Sequence, residues 1–116
     1  MLSPQKELLK RIADRFNAGD VKGAEELFSD DFVLHDPNAP DWPRGREGVQ
    51  AMLSAFNGIR IEPVDMIEEG DRVCVRWAFS GVRDDVPIAA SCVAVYRFAN
   101  NLIAEDWGVM VRAPWP

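Results

Sequence analysis

His35 and Asp106 are the two side chains best suited to proton transfer in this chain. His35 is its single histidine and stands in the stretch from Phe32 to Arg46, FVLHDPNAPDWPRGR. Imidazole is the natural general acid/base at neutral pH. In strand alternation His35 shares a face with Val33, while Phe32 and Leu34 take the other. Asp36 therefore points away from His35, and Asp36-Pro37 reads as a turn starter. The alternative for His35 is a structural imidazole that hydrogen-bonds its own loop. Asp106 lies in the segment LIAEDWGVM, where it alternates with Ala104, Gly108 and Met110, opposite Glu105, Trp107 and Val109. A carboxyl among small and apolar neighbours is desolvated, which raises its pKa toward the range useful for acid/base work. With the faces reversed, Asp106 is a surface residue and Trp107 is core.

Four further residues bear on a pocket. Trp42, between Asp41 and Pro43, can wall or cover a cavity as an aromatic lid, or plug it as core. Pro37, Pro40 and Pro43 restrict the unfolded loop and so favour a fixed one. Arg46, across Gly45 from Arg44, reads as a helix-start salt link to Glu47 or Asp41, with a ligand clamp as the alternative. Arg76 shares a face with Cys74 and Ala78, opposite Val75 and Trp77. It is an exposed strand charge or, if the polar face lines a cavity, a partner for Asp106, with Asp65 as a second carboxylate. Tyr96, the single tyrosine, reads as core with a satisfied hydroxyl or as a donor to developing negative charge.

Other chemistries lack their motifs. The sequence has no G-x-S-x-G elbow and no GK[ST] phosphate loop, and one histidine with scattered carboxylates is poor zinc chemistry. Cys74 and Cys92 form no CxxC pair and read as buried free thiols. A net charge of −6 argues against nucleic acid as a partner. No apolar run approaches the roughly 18 residues that span a bilayer, and MLSPQKELLKR lacks the apolar core of a secretory signal. The reading is one soluble, cytoplasmic domain over residues 1–116.

The elements that must position these residues follow from periodicity. Leu9, Ile12, Ala13 and Phe16 recur at i, i+3, i+4, i+7, which predicts an amphipathic helix from Ser3 that Gly19 ends. Asp20 caps a second short helix with Val21, Ala24, Leu27 and Phe28 inward. Phe32 to Leu34 is a short strand, and Arg46 to Phe56 a third helix stopped by Asn57-Gly58. The period then becomes 2. Ile59, Ile61, Asp65 and Ile67 alternate with Arg60, Glu62, Val64 and Met66, and Val73, Val75, Trp77 and Phe79 alternate with polar or small residues. GVRDDVP connects to a strand from Ile88 to Phe98, Asn100-Asn101 makes a hairpin turn, and Leu102 to Val111 is the last strand. Three helices before a meander of about four strands exclude a doubly wound sheet. The expected fold is α+β: a curved antiparallel sheet whose helices close a cone with an interior for a small ligand.

The string LFSDDFVLHDPNAPDWPRGREGVQAML, followed near the end by NNLIAEDW, resembles the signature of the SnoaL-like polyketide cyclases of the nuclear transport factor 2-like superfamily. The resemblance covers nearly the whole chain. It implies the cone-shaped α+β fold and a cofactor-free pocket enzyme acting on an apolar or aromatic carbonyl compound by cyclase or isomerase chemistry. It makes Asp106 the acid/base, His35 its partner across the pocket, and Trp42, Arg76 and Tyr96 wall or orienting groups. Asp106 stands where the family often has histidine, and the connection from Gly81 to Pro87 is shorter than in many members. The superfamily also contains epoxide hydrolases, for which Arg76 between Asp65 and Asp106 would be the machinery, and non-catalytic binding or dimerisation modules. Val75, Trp77 and Phe79 share one face, and Trp107 and Val109 belong to another, so one apolar set is expected outside the cone, favouring a sheet-to-sheet homodimer.

Overall fold

The computed structural model describes residues 1–116. The chain runs α1 (Pro4–Asn17), α2 (Val21–Glu25), β1 (Phe28–His35), α3 (Gly45–Ala55), β2 (Ile59–Glu69), β3 (Arg72–Arg83), β4 (Val86–Ala99) and β5 (Leu102–Val111). The Ser3 hydroxyl accepts from the Lys6 amide to cap α1, and Pro4 opens it, where its missing N–H costs nothing. Leu8, Leu9, Ile12, Ala13 and Phe16 are buried along one stripe. Asp20 caps α2 by accepting from the Gly23 amide at 2.9 Å. That helix ends at Glu25, so Phe28, expected on its inner face, instead opens β1.

The five strands form one sheet in the order β1-β5-β4-β3-β2. Strands β2 to β5 are the expected antiparallel meander, and β1 joins its edge parallel to β5. β1 is longer than the predicted segment, with an irregular register between Phe28 and Val33. The guanidinium of Arg46 fixes that stretch. It donates to the Phe28 and Glu25 carbonyls, both at 2.5 Å, and to Asp30 at 3.0 Å. The expected partners Glu47 and Asp41 are not used, because three acceptors converge from α2 and β1.

Three hairpins turn on two residues, and two of them have positive φ at each position: 53° and 62° at Asp84-Asp85, 54° and 62° at Asn100-Asn101. This is the pattern whose twist matches paired strands, and Asp and Asn tolerate it best after glycine. The polar GVRDDVP connection thus shrinks to Asp84-Asp85, and β3 and β4 extend to Arg83 and from Val86. β2 departs from simple alternation. Pro63 pairs with Trp77, and the next pair is Asp65 with Arg76, so one residue bulges out. The bulge reverses the faces beyond it. Ile67, predicted on the side of Ile59 and Ile61, is 71% exposed, and Met66 packs on the core instead.

The inward face carries Val73, Val75, Trp77 and Phe79 of β3 and Ala90, Ala94, Tyr96 and Phe98 of β4. These join residues of all three helices in one apolar cluster. The outward face presents Arg76, Val93 and Val109 in neighbouring register, with Val95 and Trp107 alongside. The last residues fold back onto this outer side. The Trp115 indole donates to the Trp77 carbonyl at 2.8 Å and its ring lies 5.0 Å from the Arg76 guanidinium. Cys74 and Cys92 are free, half-buried and on opposite faces of the sheet. No helix is long and apolar enough to cross a membrane.

Candidate active site

Asp106 is the unusual group of the inner face. It stands in register with Tyr96 on β4 and with Leu34 on β1, and only 5% of it is exposed. Its Oδ1 is a buried polar atom without a hydrogen-bond partner. Burial pushes its pKa from 3.8 up to about 7, and the negative charge of Asp36 adds to the shift. A carboxyl held there exists in both protonation states near neutral pH, which is what a general acid/base needs.

The neighbours leave this carboxyl room. A Cβ on Gly108 would lie 3.2 Å from Asp106 Oδ1 and 3.4 Å from the Ala94 Cβ, so glycine keeps the space beside the carboxyl open. Cys92 shares the inner face. Burial first, then the charges of Asp106 and Asp36, push its thiol up to about 12, so it stays protonated and poorly nucleophilic. The Tyr96 hydroxyl accepts from the Trp77 indole N–H at 2.8 Å, which leaves its own proton to donate. Burial, then Asp106, raise Tyr96 well above its ordinary value, so it is neutral.

A cavity of about 610 Å³ opens where β1 parts from β5. Its lining joins Leu34, Asp36, Pro37, Trp42, Arg44 and Gly108 to the outer-face residues His35, Val93, Trp107 and Val109. The loop that walls it is held by its own bonds. Asp36 Oδ1 accepts from the Asn38 amide at 2.8 Å, the Ala39 amide donates to the Asp36 carbonyl at 3.0 Å, and the Trp42 indole donates to the Gly48 carbonyl at 3.0 Å. Trp42 is therefore tied to α3 and walls the cavity. Tyr96 and Asp106 do not line it, and Gly108 is the lining residue that stands beside the Asp106 carboxyl.

Two sequence expectations are corrected by geometry. His35 does not face Asp106. It pairs in register with Trp107 on the outer face, where the two rings stack at 4.9 Å and 10°. Glu105 Oε2 accepts from His35 Nε2 at 2.8 Å, and Glu105 Oε1 from Arg97 Nε at 2.6 Å. These bonds hold the Glu105 carboxyl below its usual range. His35 nevertheless lines the cavity, together with Trp107. Arg76 is likewise on the outer face, paired with Asp65 at 2.8 Å and stacked against Trp115. Asp65 and Arg76 thus meet as expected, but the sheet itself separates them from Asp106, so the three-residue epoxide-opening arrangement does not form.

The sequence marks Asp36 only as a turn residue, yet it lines the cavity and its charge acts on both Asp106 and Cys92. The signal was in the strand alternation, since Asp36 continues the inward series of Phe32 and Leu34. Arg44 also lines the cavity, and a sequence reading has no cue for the direction of a loop arginine.

Residues 9–106 match the model of the SnoaL-like domain. The chain belongs to the SnoaL-like family. IdmH, a candidate polyketide cyclase from Streptomyces antibioticus, superposes on this SnoaL-like domain with a TM-score of 0.73 at 25% identity, covering 91% of each chain. A candidate polyketide cyclase from Bacillus cereus gives 0.77 at 22% identity, over 92% of this chain and 74% of the other. An NTF2-like protein from Burkholderia pseudomallei gives 0.79 at 17% identity, over 96% and 93%. The last two likenesses concern the fold alone. No curated protein matches this SnoaL-like domain by sequence.

Proposed function

We propose that this SnoaL-like domain catalyses cofactor-free proton transfer, of cyclase or isomerase type, on an apolar carbonyl compound, with Asp106 as the acid/base. The observation that carries the reading is the combination at Asp106: a buried carboxyl with an unpartnered oxygen, a pKa brought to about 7, and the gap left by Gly108. The carboxylate takes a proton from carbon next to the substrate carbonyl, the enolate forms, and the carboxylic acid returns the proton or the enolate attacks a second carbonyl. Tyr96, with its proton free to donate, is the candidate partner for the enolate oxygen. The polyketide-cyclase description of IdmH agrees with this class of substrate.

The test is hydrogen–deuterium exchange. Apolar ketones and β-diketones are incubated with the protein in D2O and exchange at the carbon beside the carbonyl is followed by NMR. Exchange should accelerate as pH rises through about 7, where Asp106 becomes the base. Asp106→Asn should slow it by about 10²-fold or more. An unchanged rate in that variant removes Asp106 from the reaction.

One observation favours a second reading, a non-catalytic binding module: Asp106 is only 5% exposed and does not itself line the cavity. Binding of a ketone without any catalysed exchange would select that reading. For assembly, we propose a homodimer through the outer face of the sheet. Val93, Val109 and Val111 are exposed there, as an isologous apolar contact requires. Sedimentation of a clean monomer at tens of micromolar would count against it.

A further inference from the structure

We infer that the cavity between β1 and β5 selects a flat apolar ligand bearing a carboxylate, with Arg44 at the rim binding the anionic end and the carbonyl-bearing end directed toward Asp106. This rests on the reading of Asp106 as the reactive group and adds the charge and orientation of its substrate. Two independent observations support it: an unengaged cation in the lining and an unpartnered buried carboxyl oxygen beside Gly108.

Arg44 lines the cavity and enters no salt bridge or side-chain hydrogen bond. That sets it apart from Arg46, Arg76 and Arg97, each paired with a carboxylate. It occupies the N-cap of α3, where an arginine has no acceptor to offer and makes no cap bond. The helix therefore leaves its guanidinium free for a ligand. A planar guanidinium with several donors matches a carboxylate in two-point fashion.

The charges are also ordered along the cavity. The His35 ring, which also lines the cavity, is engaged by Glu105. Asp36 lines the cavity, is held by the Asn38 amide and acts on Asp106 and Cys92, which puts negative charge on the side nearer Asp106. An anion is thus repelled from the Asp106 end and attracted to Arg44. Between the two, Trp42, Pro37 and Leu34 offer an apolar wall for a flat body. Val93, Trp107 and Val109 form the remaining wall, and Gly108 brings it beside the Asp106 carboxyl.

The experiment is an NMR titration with 2-naphthoate and its uncharged isostere 2-naphthamide, following the indole N–H signals of Trp42 and Trp107. The expected result is that both ligands move these signals and that the acid binds about tenfold more tightly, as one charge-assisted contact gives. Arg44→Gln should erase the difference by weakening the acid alone, and Arg44→Lys should keep part of it. Equal binding of acid and amide to the unmodified protein overturns the carboxylate assignment while leaving the cavity and Asp106 reading standing. If neither compound moves the two indole signals, the cavity is not a site for such ligands and both readings fall. An amide spectrum of Arg44→Gln matching the parent away from α3 shows that the fold is intact.

Discussion

Leu34 stands in register with Asp106 across β1 and β5, and the next pair along is His35 with Trp107. Consecutive strand residues point to opposite faces. The two groups best suited to proton transfer are therefore separated by the sheet that carries them both. Asp106 is left inside with Tyr96 and the gap at Gly108, and His35 is left outside between Trp107 and Glu105.

That separation predicts different fates for the two residues on substitution. His35→Ala loses a ring stack and a partly exposed hydrogen bond to Glu105, and should cost about 1 kcal/mol in urea unfolding. Its effect on ketone exchange should stay within about threefold, against about 10²-fold or more for Asp106→Asn. A loss at His35 equal to that at Asp106 would mean that the outer face takes part in the chemistry.

Stability should depend on pH through Asp106. Its folded pKa, about 7, lies above the ordinary 3.8. Between these values the folded chain keeps a proton that the unfolded chain has released. The resulting stabilisation is complete below the lower value and is lost as pH rises through the upper one. The upper bound is ~4 kcal/mol. Asp31, Asp65 and Glu105 are shifted downward, so their contributions change only in the acid range. Urea unfolding at pH 5 and pH 8 should thus show the parent losing stability, and Asp106→Asn should lose markedly less.

Gly108→Ala tests the space beside the carboxyl. The added methyl would approach Asp106 Oδ1 at 3.2 Å and Ala94 Cβ at 3.4 Å, tight but not excluded. Unfolding free energy should fall by no more than about 1 kcal/mol. Exchange should slow by about tenfold, and its midpoint should move to higher pH because the methyl desolvates the carboxyl further. An unchanged pH midpoint would place the approach to Asp106 elsewhere.

Gly48→Ala should be far more damaging. Its Cβ would fall 2.0 Å from the Pro43 carbonyl oxygen and 3.4 Å from the Trp42 ring. The loop can only move off α3, breaking the Trp42 indole bond to the residue 48 carbonyl. The expected cost is about 2–4 kcal/mol, read as a Tm drop of roughly 10 °C. A parent-like Tm would show that the loop is not held against the helix.

By itself the sequence determined the kinds of element and their order. The 3.6-residue stripe of α1, the Asp20 cap, the Asn100-Asn101 turn and the alternation of β3 are local properties of neighbouring residues. It also separated each strand into two sets, placing Asp106 with Gly108 and His35 with Val33. Only the tertiary structure decided which set is inside, because alternation of period 2 is symmetric and burial depends on where the helices pack. Long-range pairing decided the rest. The parallel seat of β1 on β5 put His35 on Trp107, and the bulge at Pro63 turned Ile67 outward. Asp106 gained its raised pKa from burial by distant elements and from the charge of Asp36, neither of which is written near it in the chain.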